Sequence, residues 1–263
     1  ECGGWVLLNP HLFWYNMNIN RRCKLFLRDV YLYDITACHY TILQQMNINV
    51  PNVDPNDKLQ RNTQIGLMMR DNPNLTGLLR NVTISTVSEY LLRNNIVDDD
   101  IIIRQYDGVI VTKLLRVTTD QYLPLDLQSI FQVFLISSDR TRYIAYDGQK
   151  NIIKGVPYRY QGMDEMFGKI LRLNYINKSA IFKGLQRIKD EIFESDDPSL
   201  FCIQKGEKYS VFLKNFGETE ISQTLADHMD TSEVDRIKYY DFYIRPFAES
   251  ICLEFLNDRK GFI

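Results

Sequence analysis

Asp29-Val-Tyr-Leu-Tyr-Asp-Ile35 reads as a strand buried in a core and ending at Asp34. Thr36 to Gln45, directly after it, reads as a helix, so Asp34 stands at a strand-to-helix junction. A second strand pair, Ile101–Ile103 and Val109–Val111, flanks Gln105-Tyr-Asp-Gly108, and Asp107 beside Gly108 is a hairpin-turn signal. If the two strand systems share one sheet, Asp34 and Asp107 meet at its edge. Paired carboxylates there could hold two Mg²⁺, hard cations that take oxygen ligands, and two such ions clamp the oxygens of a phosphoryl transfer. The plainer reading is that each Asp caps a helix or shapes a turn.

Further out, Asn47 to Asn56 is a loop with Pro51 and Pro55, and Asp57 to Met69 reads as a helix with Asp57 at its N-cap. Lys58, Arg61 or Asn62, and Ile65 share one face of that helix, where a lysine and an amide could meet a triphosphate; an ordinary amphipathic helix is the alternative. Asn72-Pro73-Asn74 breaks it, and Thr76 to Asn94 forms a longer helix. Ile130–Ile136 and Tyr143–Tyr146 read as another strand pair. Ile181 to Phe193 reads as an amphipathic helix, and residues 237–256 as an aromatic-rich helix interrupted by Pro246. Asp98-Asp-Asp100 reads as a solvated turn rather than a metal cluster.

The 263 residues suit one large domain or two small ones, with 45% hydrophobic and 24% charged residues, which excludes disorder and a pure coiled coil. No apolar run approaches ~18 residues, so no membrane span is expected. No basic segment followed by an apolar one opens the chain, and the five scattered cysteines form no CxxC pair; reduced thiols and a cytoplasmic location are expected. The net charge of −2 argues against a basic-tail nucleic-acid binder, yet it hides a basic stretch from Asp139 to Glu191 (+5) and an acidic one from Glu194 to Asp235 (−7). No P-loop, GxSxG or Cys/His cluster occurs.

The order of these pieces resembles the polymerase region of a family B DNA polymerase, most like viral and phage members. Gly3-Gly4-Trp5-Val6 resembles the segment before the palm, Asp34 to Leu43 motif A, Lys58 to Gly66 motif B, and Gln105 to Gly108 motif C. Arg140-Thr-Arg-Tyr143 resembles the KKxY-type junction, Ile153-Lys-Gly155 the KG element, and Tyr239 to Pro246 a thumb segment. The resemblance implies an α+β fold: palm with motif A over 1–57, reduced fingers over 58–95, palm with motif C over 96–154, and a small thumb over 155–263. It implies template-directed addition of deoxynucleotides to a primer 3′-OH with two Mg²⁺. Asp34, Asp107 and the backbone carbonyl of Ile35 would hold the metals, and Lys58 and Asn62 would meet the nucleotide. His39 stands at the position that screens the ribose, as a gate or as a core histidine. Arg140, Arg142, Tyr143, Lys154 and Gly155 would hold primer–template DNA.

Several positions depart from that pattern. Gln105 stands for the first Asp of motif C, Gly108 for its Ser, and Thr141 for a lysine. Lys58 lies only 24 positions after Asp34, and Gln44 to Asp57 carries no basic residue, so the fingers are short. Other replication chains would then complete the enzyme, in a host cytoplasm if the source is viral. The rival reading is a non-catalytic, polymerase-derived DNA-binding or scaffold subunit.

Overall fold

The computed structural model describes residues 18–118, 123–155, 161–173, 178–205 and 208–257. The Gly3–Val6 segment and Trp14 lie outside them. The fold is α+β and divides into two compact units, one of residues up to Cys23 and Asp29–Ile130, the other of Lys24–Arg28 and Phe131–Ile263. The division falls between Ile130 and Phe131, within the stretch 96–154 expected as palm.

In the first unit β1 (Asn18–Ile19), β3 (Val30–Ile35), β4 (Ile101–Arg104), β5 (Gly108–Val111) and β6 (Leu125–Phe131) form a sheet in the order β1-β4-β5-β3-β6. β2 (Phe26–Leu27) belongs to the other unit. The pairs β1–β4, β4–β5 and β5–β3 are antiparallel. Three helices complete the unit: α1 (Cys38–Gln45), α2 (Lys58–Asp71) and α3 (Pro73–Arg93). Their boundaries follow from local chemistry. The Asp57 carboxylate accepts from the N–H groups of Leu59 (2.9 Å) and Gln60 (3.0 Å), two of the donors a helix start leaves open. Asn72 caps α3 through the N–H of Leu75, and Pro73 sits at the first turn, where its missing N–H costs nothing. Tyr33, Ile35, Leu43, Leu79, Tyr90, Val109 and Val111 join in one core. Its polar edges are satisfied: the Tyr33 hydroxyl accepts from Leu115 N–H (2.9 Å), and that of Tyr90 donates to Leu123 O (2.8 Å).

The second unit has a sheet β2-β7-β8-β9, with β7 (Val133–Ile136), β8 (Tyr143–Tyr146) and β9 (Asn151–Lys154). It also has α4 (Gln161–Leu173), α5 (Lys178–Glu194) and a smaller sheet of β10 (Ile203–Lys205), β11 (Lys208–Leu213) and β12 (Gly217–Ile221). Short α6 (Gln223–Asp227) and α7 (Arg236–Tyr239) lead through a π-helical turn, Tyr240–Ile244, into α8 (Arg245–Asn257). Pro246 thus does not interrupt the helical run. Its ring nitrogen lacks the proton that would reach the Phe242 carbonyl four residues back. The guanidinium of Arg142 donates to that carbonyl instead. Arg236 does the same for the end of α5, donating to the carbonyls of Ile192 (3.1 Å), Phe193 (3.0 Å) and Ser195 (2.6 Å). Cys23, Cys38, Cys202 and Cys252 are free thiols. Among the described residues no helix is long and apolar enough to cross a membrane.

Candidate functional site

β3 and β5 pair so that Asp34 lies opposite Gly108, and the Ile35 N–H donates to the Asp107 carbonyl at 2.8 Å. Gln105 N–H donates to Gly108 O at 3.0 Å, closing a tight hairpin with Tyr106 and Asp107 at its tip. The two acids of the sequence reading therefore lie at the same end of one sheet, Asp34 near the end of β3 and Asp107 in the turn that leads into β5. The hairpin forms where Asp-Gly predicts it, but glycine serves another purpose. Gly108 is not among the residues with positive φ. A Cβ there would lie 2.5 Å from the Tyr33 carbonyl oxygen and 3.0 Å from Asp34 Oδ1. The serine of the polymerase motif does not fit this backbone. Gly108→Ala should cost about 1–3 kcal/mol, the usual range for overpacking, read as a lower denaturant midpoint.

Burial pushes the Asp34 carboxyl up to about 7, with the Asp107 charge adding to it and Lys58 opposing it. Asp107 is also raised by burial, again opposed by Lys58. Asp34 Oδ1 is buried and has no hydrogen-bond partner. A buried acceptor left bare is costly, and a hard cation is the partner that two such carboxylates fit. Among the described residues no group of three or more His, Cys, Asp and Glu side chains forms a fuller metal cage. A raised carboxyl binds its proton more tightly in the folded state than in the unfolded one. Its favourable contribution is fully present below its ordinary value of 3.8 and is lost as pH rises through about 7. The metal-free protein should therefore lose thermal stability between about pH 4 and 7, and Asp34→Asn should flatten that part of the profile.

The helices supply the remaining groups. Lys58 opens α2 and is exposed, as is Asn62 one turn later. Arg61 is committed elsewhere: it donates to Pro55 O (2.6 Å) and lies 5.6 Å from the Tyr40 ring centroid. Of that face, Lys58 and Asn62 are left for a ligand. His39 is 7% exposed, packs edge-on against Tyr106 at 5.6 Å, and burial lowers its pKa to about 4, so it is a neutral ring. Ala37, just before α1, has φ 50°, a left-handed conformation that a residue with a Cβ adopts at a cost.

The second unit changes the reading of the junction residues. Arg142 is 5% exposed, bonds Asp139 Oδ2 at 3.1 Å and the Phe242 carbonyl, and stacks over the Phe242 ring at 5.1 Å. Tyr143 is 1% exposed and stacked on Phe134 at 4.6 Å. Both are core residues here, which removes them from a phosphate-facing surface. Gly155 has φ 81°, and its backbone presses on Thr141 O, 2.5 Å from where a Cβ would stand. Arg140 is half-buried with φ 56°, and Lys154 is exposed. Asp98–Asp100 is a 3₁₀ turn but not a fully solvated one: Asp100 is buried and bonds Lys113 (2.8 Å), while exposed Asp98 bonds Arg104 (3.3 Å).

Sequence reasoning missed Asp126, Thr36 and Tyr106. Asp126, on β6, accepts from the Thr36 hydroxyl (2.9 Å), and its charge adds to the upward push on Asp34. The alternation Leu125-Asp-Leu127 was its available signal, hidden because the strand was expected to start at Ile130.

Taken together, fold and site define an α+β protein whose antiparallel sheet joins two raised carboxylates at one hairpin, with a lysine-headed helix acting on both. The chain belongs to the Bacteriophage PBS1 gene 130 protein family, whose family model matches residues 12–231. No curated protein matches it. Among solved structures it is similar to the family B DNA polymerase from the hyperthermophilic archaeon Pyrobaculum calidifontis, with 10% identity and a TM-score of 0.45. That match covers 87% of this chain and 45% of that one, so the chain spans less than half the polymerase's length.

Proposed function

We propose that the chain is the palm-bearing part of a phage DNA polymerase, adding deoxynucleotides to a primer 3′-OH under direction of a template. The observation that carries this reading is the Asp34–Asp107 pair, with its bare buried oxygen Asp34 Oδ1. The order of the motif-like segments along the chain supports it. Asp34, Asp107 and the carbonyl of Ile35 would hold two Mg²⁺. Ions bound there lower the pKa of the attacking hydroxyl and stabilise charge on the phosphoryl group in flight. The protein's own residues position the reactants. Lys58 meets the triphosphate as a point charge, Asn62 lies alongside, and His39 packed on Tyr106 walls the site where a ribose would sit. The Gly108 backbone holds Asp34 and Asp107 in register. DNA, deoxynucleotides and further replication chains are the expected partners, in the cytoplasm of an infected cell.

The rival reading, a polymerase-derived scaffold without activity, gains from one observation: Arg142 and Tyr143 are spent on the core. Primer extension separates the two. The polymerase reading expects Mg²⁺-dependent extension of a labelled primer, by the chain alone or with other replication chains of the same phage. Binding of primer–template without extension in either setting supports the scaffold and overturns the enzyme.

A further inference from the structure

The β1–β4 edge of the first sheet carries a cluster of charge that the proposed reaction does not use. Arg21 and Arg22, in the turn after β1, and Arg104, the last residue of β4, line a cleft of about 340 Å³ with Asn20 and Asp98. Three guanidinium groups share it with one carboxylate, and that carboxylate pairs with Arg104 at 3.3 Å. Arg21 and Arg22 are exposed and have no ion pair among the described residues.

The turn that carries them is rigidly held. Asn20 donates from its backbone to Ile102 O (2.8 Å) and from its side chain to Asp98 O (2.8 Å) and Ile101 O (2.9 Å). Its side-chain oxygen accepts from the Arg22 N–H at 2.9 Å. The backbone from which two adjacent cations extend is thus held beside a third, in a chain whose overall charge is −2. Asp98 is the one carboxylate among the residues lining the cleft, so the lining carries a net positive charge that an anion would complement. Guanidinium forks match phosphate oxygens two at a time. The volume is near the lower end of small-ligand sites, enough for a nucleotide-sized segment. Arg104 directly precedes the Gln105–Gly108 hairpin, but its guanidinium turns back along β4 to Asp98, where the turn after β1 also ends.

We propose that the Arg21–Arg22–Arg104 cleft binds phosphate groups of a nucleic-acid strand, at the end of β4 away from the Asp34–Asp107 pair. Such contacts fix the position of the strand without reading its sequence. The proposal deepens the polymerase reading and rests on it for the strand's identity, but its test needs no turnover.

The test is fluorescence anisotropy of a labelled mixed-sequence oligonucleotide on the intact chain, in chelator, over a salt series. Arg21→Gln/Arg22→Gln should weaken binding by at least about tenfold and flatten the log–log salt slope by about 1–2, with the thermal midpoint unchanged. Arg104→Gln should add to the loss. Unchanged affinity and slope in the double variant would overturn the proposal. So would displacement of the strand by a free mononucleotide or pyrophosphate at matched phosphate concentration, which would mark a site for small phosphates. The outcomes keep the two readings apart. Salt-sensitive binding lost in the double variant, with no extension by the wild type, keeps the cleft and sinks the enzyme. Extension with binding untouched by the double variant does the reverse.

Discussion

Asp107→Asn is expected to lower nucleotidyl transfer by about 10³-fold or more, the scale on which a lost transition-state charge stabiliser registers, while raising the thermal midpoint of the metal-free protein above pH 7. The two effects have one cause. Asp107 is raised by burial, and its charge helps to push Asp34 to about 7. Two neighbouring carboxylates that resist ionisation are an arrangement a purely structural site has no reason to keep. An amide of nearly the same shape removes one charge, relieves the other and leaves the hairpin hydrogen bonds, which run through backbone atoms of Ile35, Asp107, Gln105 and Gly108, intact. Stability should therefore rise where activity falls. A residue that only shaped the turn would give the opposite: a lower midpoint, and activity lost only through unfolding. Melting curves in chelator at pH 8, paired with incorporation assays, separate the two.

Arg142→Leu should destabilise the protein by about 1–3 kcal/mol, the cost of leaving a buried acceptor without its donor. The substitution leaves the Phe242 carbonyl without the donor that Pro246 cannot supply, strips Asp139 of its ion pair and empties the space over Phe242 and Phe247. Arg142→Lys should recover only part of the loss, since an ammonium cannot reach the carboxylate and the carbonyl while stacking on two rings. Binding of nucleic acid, measured well below the midpoint, should be unchanged in either variant. A loss of binding without a loss of stability would return Arg142 to the phosphate-facing role its sequence neighbourhood suggests.

Much of the first unit is legible in the sequence because its signals are local. The buried strand to Asp34, the Asp57 cap, the Asn72-Pro73 break and the Asp-Gly hairpin each depend on residues within a few positions of one another, and each appears where expected. What sequence could not show is contact across long separations. Gly108 is required by the carbonyl of Tyr33, 75 residues earlier. Arg142 is buried by a helix 100 residues later, and a motif of basic residues carries no mark of which one turns inward. Pro246 reads as a helix breaker until a distant side chain replaces its missing donor. The β10–β12 sheet was missed although Leu213 and Gly217 close a three-residue hairpin with Gly217 at φ 72°, a known pattern. Its strands are short and sit in the acidic stretch, where charge rather than periodicity draws the eye. Asp126 reaches the site only because β6 pairs beside β3, a neighbour relation that residue spacing does not encode.

The central claim is that Asp34 and Asp107 together form a divalent-cation site, and Mn²⁺ binding followed by electron paramagnetic resonance tests it most directly. The account predicts binding by the wild-type chain that weakens as pH falls from about 8 to 6, as protons compete at a carboxyl held near 7, and that disappears in both Asp34→Asn and Asp107→Asn. Mn²⁺ bound equally by the wild type and both variants, or with no dependence on pH across that range, would contradict it.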